Sequence, residues 1–338
     1  MSSDTATIRA SQLWFTEPLC VEVREATLPA PGPERLLVRT RYSAVSAGTE
    51  LLAYRGQLPR SMALDSSLES LQQFSDYPLQ YGYACVGEVQ QTGSEIDPGW
   101  IGRQVFSFQP HASHFLASPE ELKIVPEDIS AQAAVFLPNM ETAVNLVQDG
   151  RPLLGERIVV LGQGIVGLLL TSLLARHPLK ELIAVEGRPE RQDLARHLGA
   201  DTVLTPEEAA AQVSDADLIY EVSGQPEALN LAITLSGYAS RIVIGSWYGS
   251  KAVPIDLGGA AHRNRLQLIT SQVSSVDPLL SGRWDKQRRF HLAWEMIRRI
   301  DPTQLITHTQ PLDEAGNLYQ QLHEGESGLV QALFHYPD

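Results

Sequence analysis

The stretch RIVVLGQGIVGLLLTSLL, residues 157–174, constrains the fold more than any other part of the chain. An apolar strand runs into Gly162, Gly164 and Gly167 in G-x-G-x-x-G spacing, and an apolar helix follows at once. In that context the glycines have separate tasks: Gly162 permits a tight turn, Gly164 lets backbone approach a pyrophosphate, and Gly167 packs helix close to strand. The first helical amides then face an anion, so Gly162, Gln163, Gly164, Ile165, Val166 and Gly167 are expected to bind a dinucleotide. The next strand, LIAV, leads to Glu186, 19 residues past Gly167. A carboxylate there accepts hydrogen bonds from both ribose hydroxyls of NAD and repels the 2′-phosphate of NADP. Arg188 points the other way, so NAD is expected, with NADP as the alternative.

Strand and helix patterns alternate around this loop, from RIVVLG through ELIAVEG, DTVLT, DADLIYEVSG and SRIVIGS to LQLITSQVSS. That alternation predicts a parallel, doubly wound sheet. Residues 1 to about 125 read differently. Short extended runs such as LLVRTRYSAVS and RQVFSF, broken by Gly and Pro, predict a compact β-rich domain. PRSMALDSSLESLQQFSDYP interrupts them as an expected surface loop, short helix or lid. The tail reads helix, helix, strand, and the last strand, within GLVQALFHY, has no place in the nucleotide sheet. Its return to the first domain would resolve this.

A formal net charge of −14 with no compensating basic run argues against nucleic acid and anionic membrane as partners. The densest basic segment, Arg288 to Arg299, has helical spacing and is expected to be a solvated helix face. Two cysteines exclude a disulfide framework and a four-cysteine zinc lobe. No run of about 18 apolar residues and no apolar leader are present, so a soluble, cytoplasmic protein is expected.

The layout resembles the medium-chain dehydrogenase/reductase family. The resemblance rests on PGPERLLVRTRYSAVSAGTE, YGYACVGEVQQTG, IGRQVFSF, FLPNMETAVNLV, the glycine loop and the ending LITHTQPLDEAGNLYQQLHEGESGLVQALF. It implies a Rossmann domain inserted into a GroES-like β-rich domain, with the active site in a cleft and the tail returning to the first domain. The expected divisions are residues 1–138, 139–280 and 281–338. Zinc-dependent relatives carry a cysteine before a G-[ST]-[DE] triplet, whereas here Ala47 precedes Gly48, Thr49 and Glu50. They carry G-H-E where this chain has Gly82, Tyr83 and Ala84. Only Asn139 and Glu141 are polar near the third ligand position. Alanine cannot ligate and tyrosine is a poor zinc ligand beside Cys and His, so no zinc is expected.

Without a Lewis acid, another group must handle charge on the substrate oxygen. A phenol donates a hydrogen bond at neutral pH, which makes Tyr83 a candidate proton donor. A strand aromatic filling the vacated space is its other reading. His111, after the VFSF strand, is a second candidate donor lining the cleft, and Thr49 is a candidate relay, with Glu50 bracing its loop. Glu141 reads either as a buried catalytic carboxylate or as a helix-start charge favoured by the dipole, the second being preferred. The resemblance places Thr142 near the nicotinamide, Ser223 and Gly224 near its ribose, and Gly245 and Ser246 near its carboxamide. Trp247 and Tyr248 would wall the cleft.

These readings converge on a zinc-independent NAD(P)-dependent oxidoreductase acting on a carbonyl, an enone or a secondary alcohol. A partial likeness to the bacteriochlorophyllide-side-chain dehydrogenases of the family implies a small-molecule substrate that is large and planar. Two rivals remain: a metal-dependent alcohol dehydrogenase using His111, His114 and Glu141, and a dinucleotide-binding sensor or scaffold without turnover. The LQLITSQVSS strand would end the nucleotide sheet, and an exposed edge there predicts a homodimer.

Overall fold

The structure is a computed structural model and describes residues 7–59 and 75–337. Most of the segment read as a loop, helix or lid lies outside the described residues. By internal contacts the chain forms two compact units, residues 1–138 with 301–338, and residues 139–300.

The first unit opens with β1 (Ile8–Glu17), β2 (Cys20–Leu28), β3 (Leu36–Ala44), β4 (Cys85–Thr92), β5 (Gln104–Ser107), β6 (His114–Ala117) and β7 (Leu122–Ile124). The second carries β8 (Arg157–Leu161), β9 (Glu181–Val185), β10 (Thr202–Leu204), β11 (Ala216–Glu221), β12 (Ser236–Ile244) and β13 (Gln267–Thr270). The chain then supplies β14 (Ile306–Pro311) and β15 (Gln331–His335) to the first unit.

In the first unit β1 and β2 form an antiparallel pair, and a larger sheet runs β14-β15-β3-β4-β5-β7, with β6 also paired to β3. The displaced last strand of the sequence thus finds its place: β15 lies antiparallel to β3, with Leu333 opposite Ala44. Alternation along the strands sends Leu36, Val38, Cys85, Val89 and Val105 into one core with Phe115, Ala117 and Leu122.

The second unit is the doubly wound sheet, order β10-β9-β8-β11-β12-β13, every pairing parallel. Both faces are covered, which is why β8 reads as an apolar run with Ile158 to Leu161 all buried. The strand order reverses between β8 and β11, where ligands of such sheets bind beyond the carboxyl ends.

The unit boundary falls after Ile300 rather than after residue 280. The helix Lys286–Ile300 buries Phe290, Ala293, Trp294 and Ile297, an apolar stripe at helical spacing. Its Arg289 is also enclosed and bonds to Glu141 and Asn145 of the helix Leu137–Gly150, which fixes the segment to the second unit. The solvated basic face is therefore Arg288, Arg298 and Arg299, without Arg289. Among the described residues, no helix is long and apolar enough to cross a membrane.

Candidate active site

The glycine loop has the shape that its sequence dictates. Gly162 adopts φ +95°, and a β-carbon there would lie 2.5 Å from Ser223 Cα. One on Gly167 would lie 2.0 Å from the Gly162 carbonyl oxygen, so helix Ile165–Leu174 approaches the turn as only glycine allows. Gly164 instead opens to space, its nearest neighbour in that direction being Arg191 Nη1 at 4.0 Å. By helix geometry the amides of Ile165, Val166 and Gly167 have no intrahelical acceptor. Open space over a helix N-terminus fits the pyrophosphate of a dinucleotide.

Glu186 holds this loop together. Its carboxylate accepts from the Gln163 amide at 2.9 Å, the Gly187 amide at 2.9 Å and the Arg188 amide at 3.1 Å. The Gln163 side chain is buried, donating to Val160 O at 3.3 Å and accepting from Thr171 Oγ1 at 3.0 Å. Gln163 was expected among the cofactor contacts, but it is a strut of the loop because its amide and its side chain are already engaged. Arg191 was missed from the sequence. It lies in the first turn of helix Pro189–His197, and burial lowers its pKa while Glu186 opposes that shift.

The carboxyl ends of β11 and β12 bring Ser223, Gly224, Gly245 and Ser246 together. Glu221, wholly buried, accepts from Ser223 N at 2.8 Å and from the Ser223 and Tyr248 hydroxyls. Its carbonyl accepts from Gly245 N at 2.9 Å, and Gly224 N donates to Ser246 Oγ at 2.9 Å. Burial, then Glu221, pushes the Tyr248 phenol upward, so it remains a donor. Thr142 stands one turn before Leu146 on helix Leu137–Gly150. A β-carbon on Gly245 would meet Leu146 Cδ2 at 2.7 Å, so Thr142 shares the face turned toward the end of β12.

In the first unit the polar groups gather where helix Ala47–Tyr54 begins. Ser46 is its N-cap, yet its hydroxyl makes no capping bond. Glu50 reaches back instead, its Oε1 accepting from the Ser46 amide at 2.7 Å. The Ser46 hydroxyl is thereby released to bond Tyr83 OH, and Thr49 Oγ1 lies 3.2 Å from Ser46 Oγ and 3.0 Å from Tyr83 OH. Tyr83 and Thr49 are both partly exposed, so the cluster faces outward. Ser46 was absent from the sequence expectation although SAGTE contains it.

His111 does not line a surface. It is wholly buried, with Nε2 3.0 Å from Glu50 Oε2 and Nδ1 2.7 Å from Ser43 Oγ. Its expected role as a proton donor to substrate therefore fails on accessibility. Two of the three zinc ligands of the rival reading are already engaged. Both His111 nitrogens are engaged, and Glu141 pairs with Arg289 and Lys286. Ala47 offers no donor atom, and Tyr83 is bonded within its cluster. Among the described residues no group of three His, Cys, Asp or Glu is placed to hold a metal, and these donors do not fit zinc.

Residues 166–289 match the family model described as zinc-binding dehydrogenase. The D-guloside 3-dehydrogenase of Escherichia coli K12 is 25% identical over 283 residues, covering 77% of this chain and 80% of the relative. Among solved structures, the short chain alcohol dehydrogenase rspB of Escherichia coli CFT073, complexed with NADH, superposes with a TM-score of 0.78 at 17% identity, covering 97% of this chain and 99% of the other. A protein of Sinorhizobium meliloti 1021 bound to NADP gives 0.77 at 16% identity, covering 97% and 100%. Residues 166–289 thus match the zinc-binding dehydrogenase model, and the chain as a whole has the fold of alcohol dehydrogenase-like proteins.

Proposed function

We propose that the protein is an NAD(P)-dependent oxidoreductase that works without zinc and uses Tyr83 to exchange the proton. The observation that carries this is the Ser46–Thr49–Tyr83 hydroxyl cluster, standing where the family motif would supply Cys and His as metal ligands. The nicotinamide, when bound, supplies or accepts the hydride at the substrate carbon. In the reducing direction the Tyr83 O–H bond breaks and its proton passes to the substrate oxygen. Ser46 and Thr49, donating to the phenolic oxygen, stabilise the charge left behind. The start of helix Ala47–Tyr54 adds its positive end. In the oxidising direction the same groups take the proton from an alcohol.

The relatives named D-guloside 3-dehydrogenase and L-threonine 3-dehydrogenase favour the alcohol–ketone couple over an enone. The purified protein, dialysed against a strong chelator, is expected to oxidise NAD(P)H with members of a ketone panel at its undialysed rate. Loss of turnover on chelation, with recovery on adding zinc, would sink the proposal. Tight cofactor binding with no turnover on any substrate would favour the sensor reading instead.

NAD is the proposed cofactor. Glu186 already carries three amides and would meet the 2′-phosphate of NADP with like charge. Glu186→Ala is expected to weaken NAD binding about tenfold and to narrow the preference over NADP. Titration of both reduced cofactors by fluorescence reads this, and a wild type that binds NADPH more tightly contradicts it. A homodimer through β13, an edge strand with Leu268 exposed, remains part of the same proposal. Its soluble, cytoplasmic setting and its indifference to nucleic acid and membrane rest on charge and composition.

A further inference from the structure

We propose that His111 is a positioning residue for Tyr83, acting through Glu50 on one side and through Gly82 on the other. This rests on the reading of Tyr83 as the proton-exchanging group.

The first arm is a chain of hydrogen bonds with one direction. Glu50 is wholly buried and, as a carboxylate, only accepts. Its donors are the Ser46 amide at 2.7 Å, His111 Nε2 at 3.0 Å and the Tyr319 hydroxyl. With Nε2 donating, His111 Nδ1 accepts from the Ser43 hydroxyl at 2.7 Å, and Ser43 Oγ in turn accepts from Tyr336 OH at 2.8 Å. The His111 tautomer is fixed at both ends. Glu50 is thereby held at the one place from which it caps Ser46 N and leaves the Ser46 hydroxyl for Tyr83.

The second arm is packing. Gly82, directly before Tyr83, has φ +117°, and a β-carbon on it would lie 2.7 Å from His111 Cδ2 and 2.8 Å from His111 Nε2. The imidazole occupies the space that a side chain at 82 would need. It rests edge-on against Phe334, ring centroids 5.1 Å apart, and so forms a wall against which the backbone carrying Tyr83 is set. One ring therefore registers both partners of the Ser46–Tyr83 hydrogen bond.

The pair does not conduct a proton to Tyr83. Glu50 meets the cluster at the Ser46 backbone N–H, which is no relay, so His111 acts by position. Around the His111–Glu50 pair, Tyr319 bonds Glu50, Tyr336 bonds Ser43, and the Cys85 thiol feels the Glu50 charge. Burial raises both phenols and the thiol, which leaves them protonated donors at neutral pH.

The test is a double-mutant cycle on the full chain. His111→Asn is expected to lower kcat about 10–100-fold, because small misplacement of a reacting group is costly. NADH affinity should stay within about twofold. In a Tyr83→Phe background the same change should cost less than about twofold, since no hydroxyl remains to be positioned. Ser43→Ala, a milder change that touches neither Glu50 nor the cluster, should show the same non-additivity and covers the case in which His111→Asn does not fold. A loss that persists undiminished in the Tyr83→Phe background overturns the inference while leaving Tyr83 in its role. A Tyr83→Phe protein with wild-type turnover removes the reading of Tyr83 itself. A second measurement needs no substrate: phenolate absorbance, taken as the difference from Tyr83→Phe, gives the Tyr83 titration. Its midpoint should move upward in His111→Asn, and an unmoved midpoint overturns the inference.

Discussion

Tyr83→Phe should lower turnover by about 10²–10⁴-fold while NADH binds as before, the range expected when a positioned acid or base is removed. The substitution deletes one oxygen and keeps the ring, so the edge contact with Tyr81, centroids 6.2 Å apart, is retained. Ser46 Oγ and Thr49 Oγ1, 3.2 Å apart, remain partners for each other, and Thr49 is partly exposed. No buried donor is orphaned, so the melting temperature should barely change. That combination, lost rate with kept fold and kept cofactor, separates the proton-donor reading from the filler reading. A filler tyrosine replaced by phenylalanine would give wild-type kcat. Ser46→Ala should cost less, because Thr49 still donates to the phenolic oxygen, and steady-state rates across the variants check the order.

The parts of this site that were legible in the sequence are those governed by local backbone geometry. Gly162 and Gly167 are required by contacts to neighbours a few residues away or across one strand pair, so spacing and context sufficed. The parallel sheet followed from alternation, and β15 could be placed once the tail had no partner in the nucleotide sheet. His111 shows the limit. Nothing in QPHASHF distinguishes a histidine facing a cleft from one sealed against Glu50, because that difference is made by Ser43, Tyr319, Tyr336 and Phe334, distant in sequence. Ser46 was hidden for a related reason. A serine before a helix reads as an ordinary N-cap, and its release depends on Glu50 taking over the cap. Arg191 reads as one more charge on a polar helix until its guanidinium is seen beside Gly164.

Arg289→Ala should destabilise the nucleotide-binding unit by about 3–5 kcal/mol, the cost of breaking a buried ion pair from one side. In a basic helix this arginine looked solvated, but its side chain is wholly enclosed. Its guanidinium donates to Glu141 Oε1 at 3.0 Å, to Ser275 O at 2.9 Å, and to Asn145 Oδ1 and Val273 O. One planar fork thus ties helix Lys286–Ile300 to helix Leu137–Gly150 and to the chain after β13. Lys286 also reaches Glu141 at 2.6 Å and Val273 O at 3.0 Å, so part of the charge remains compensated. Asn145 and Ser275 lose their arginine donor. For a unit of this size the loss corresponds to a melting temperature lower by about 10 °C. Arg289→Lys should recover little, since a single ammonium cannot span acceptors arranged for a fork. Arg289→Met separates volume from hydrogen bonding: it fills the space but leaves the acceptors bare, so it too should melt early. Calorimetry decides the matter, and a methionine variant as stable as the wild type would mean that packing, not the polar network, holds this helix in place.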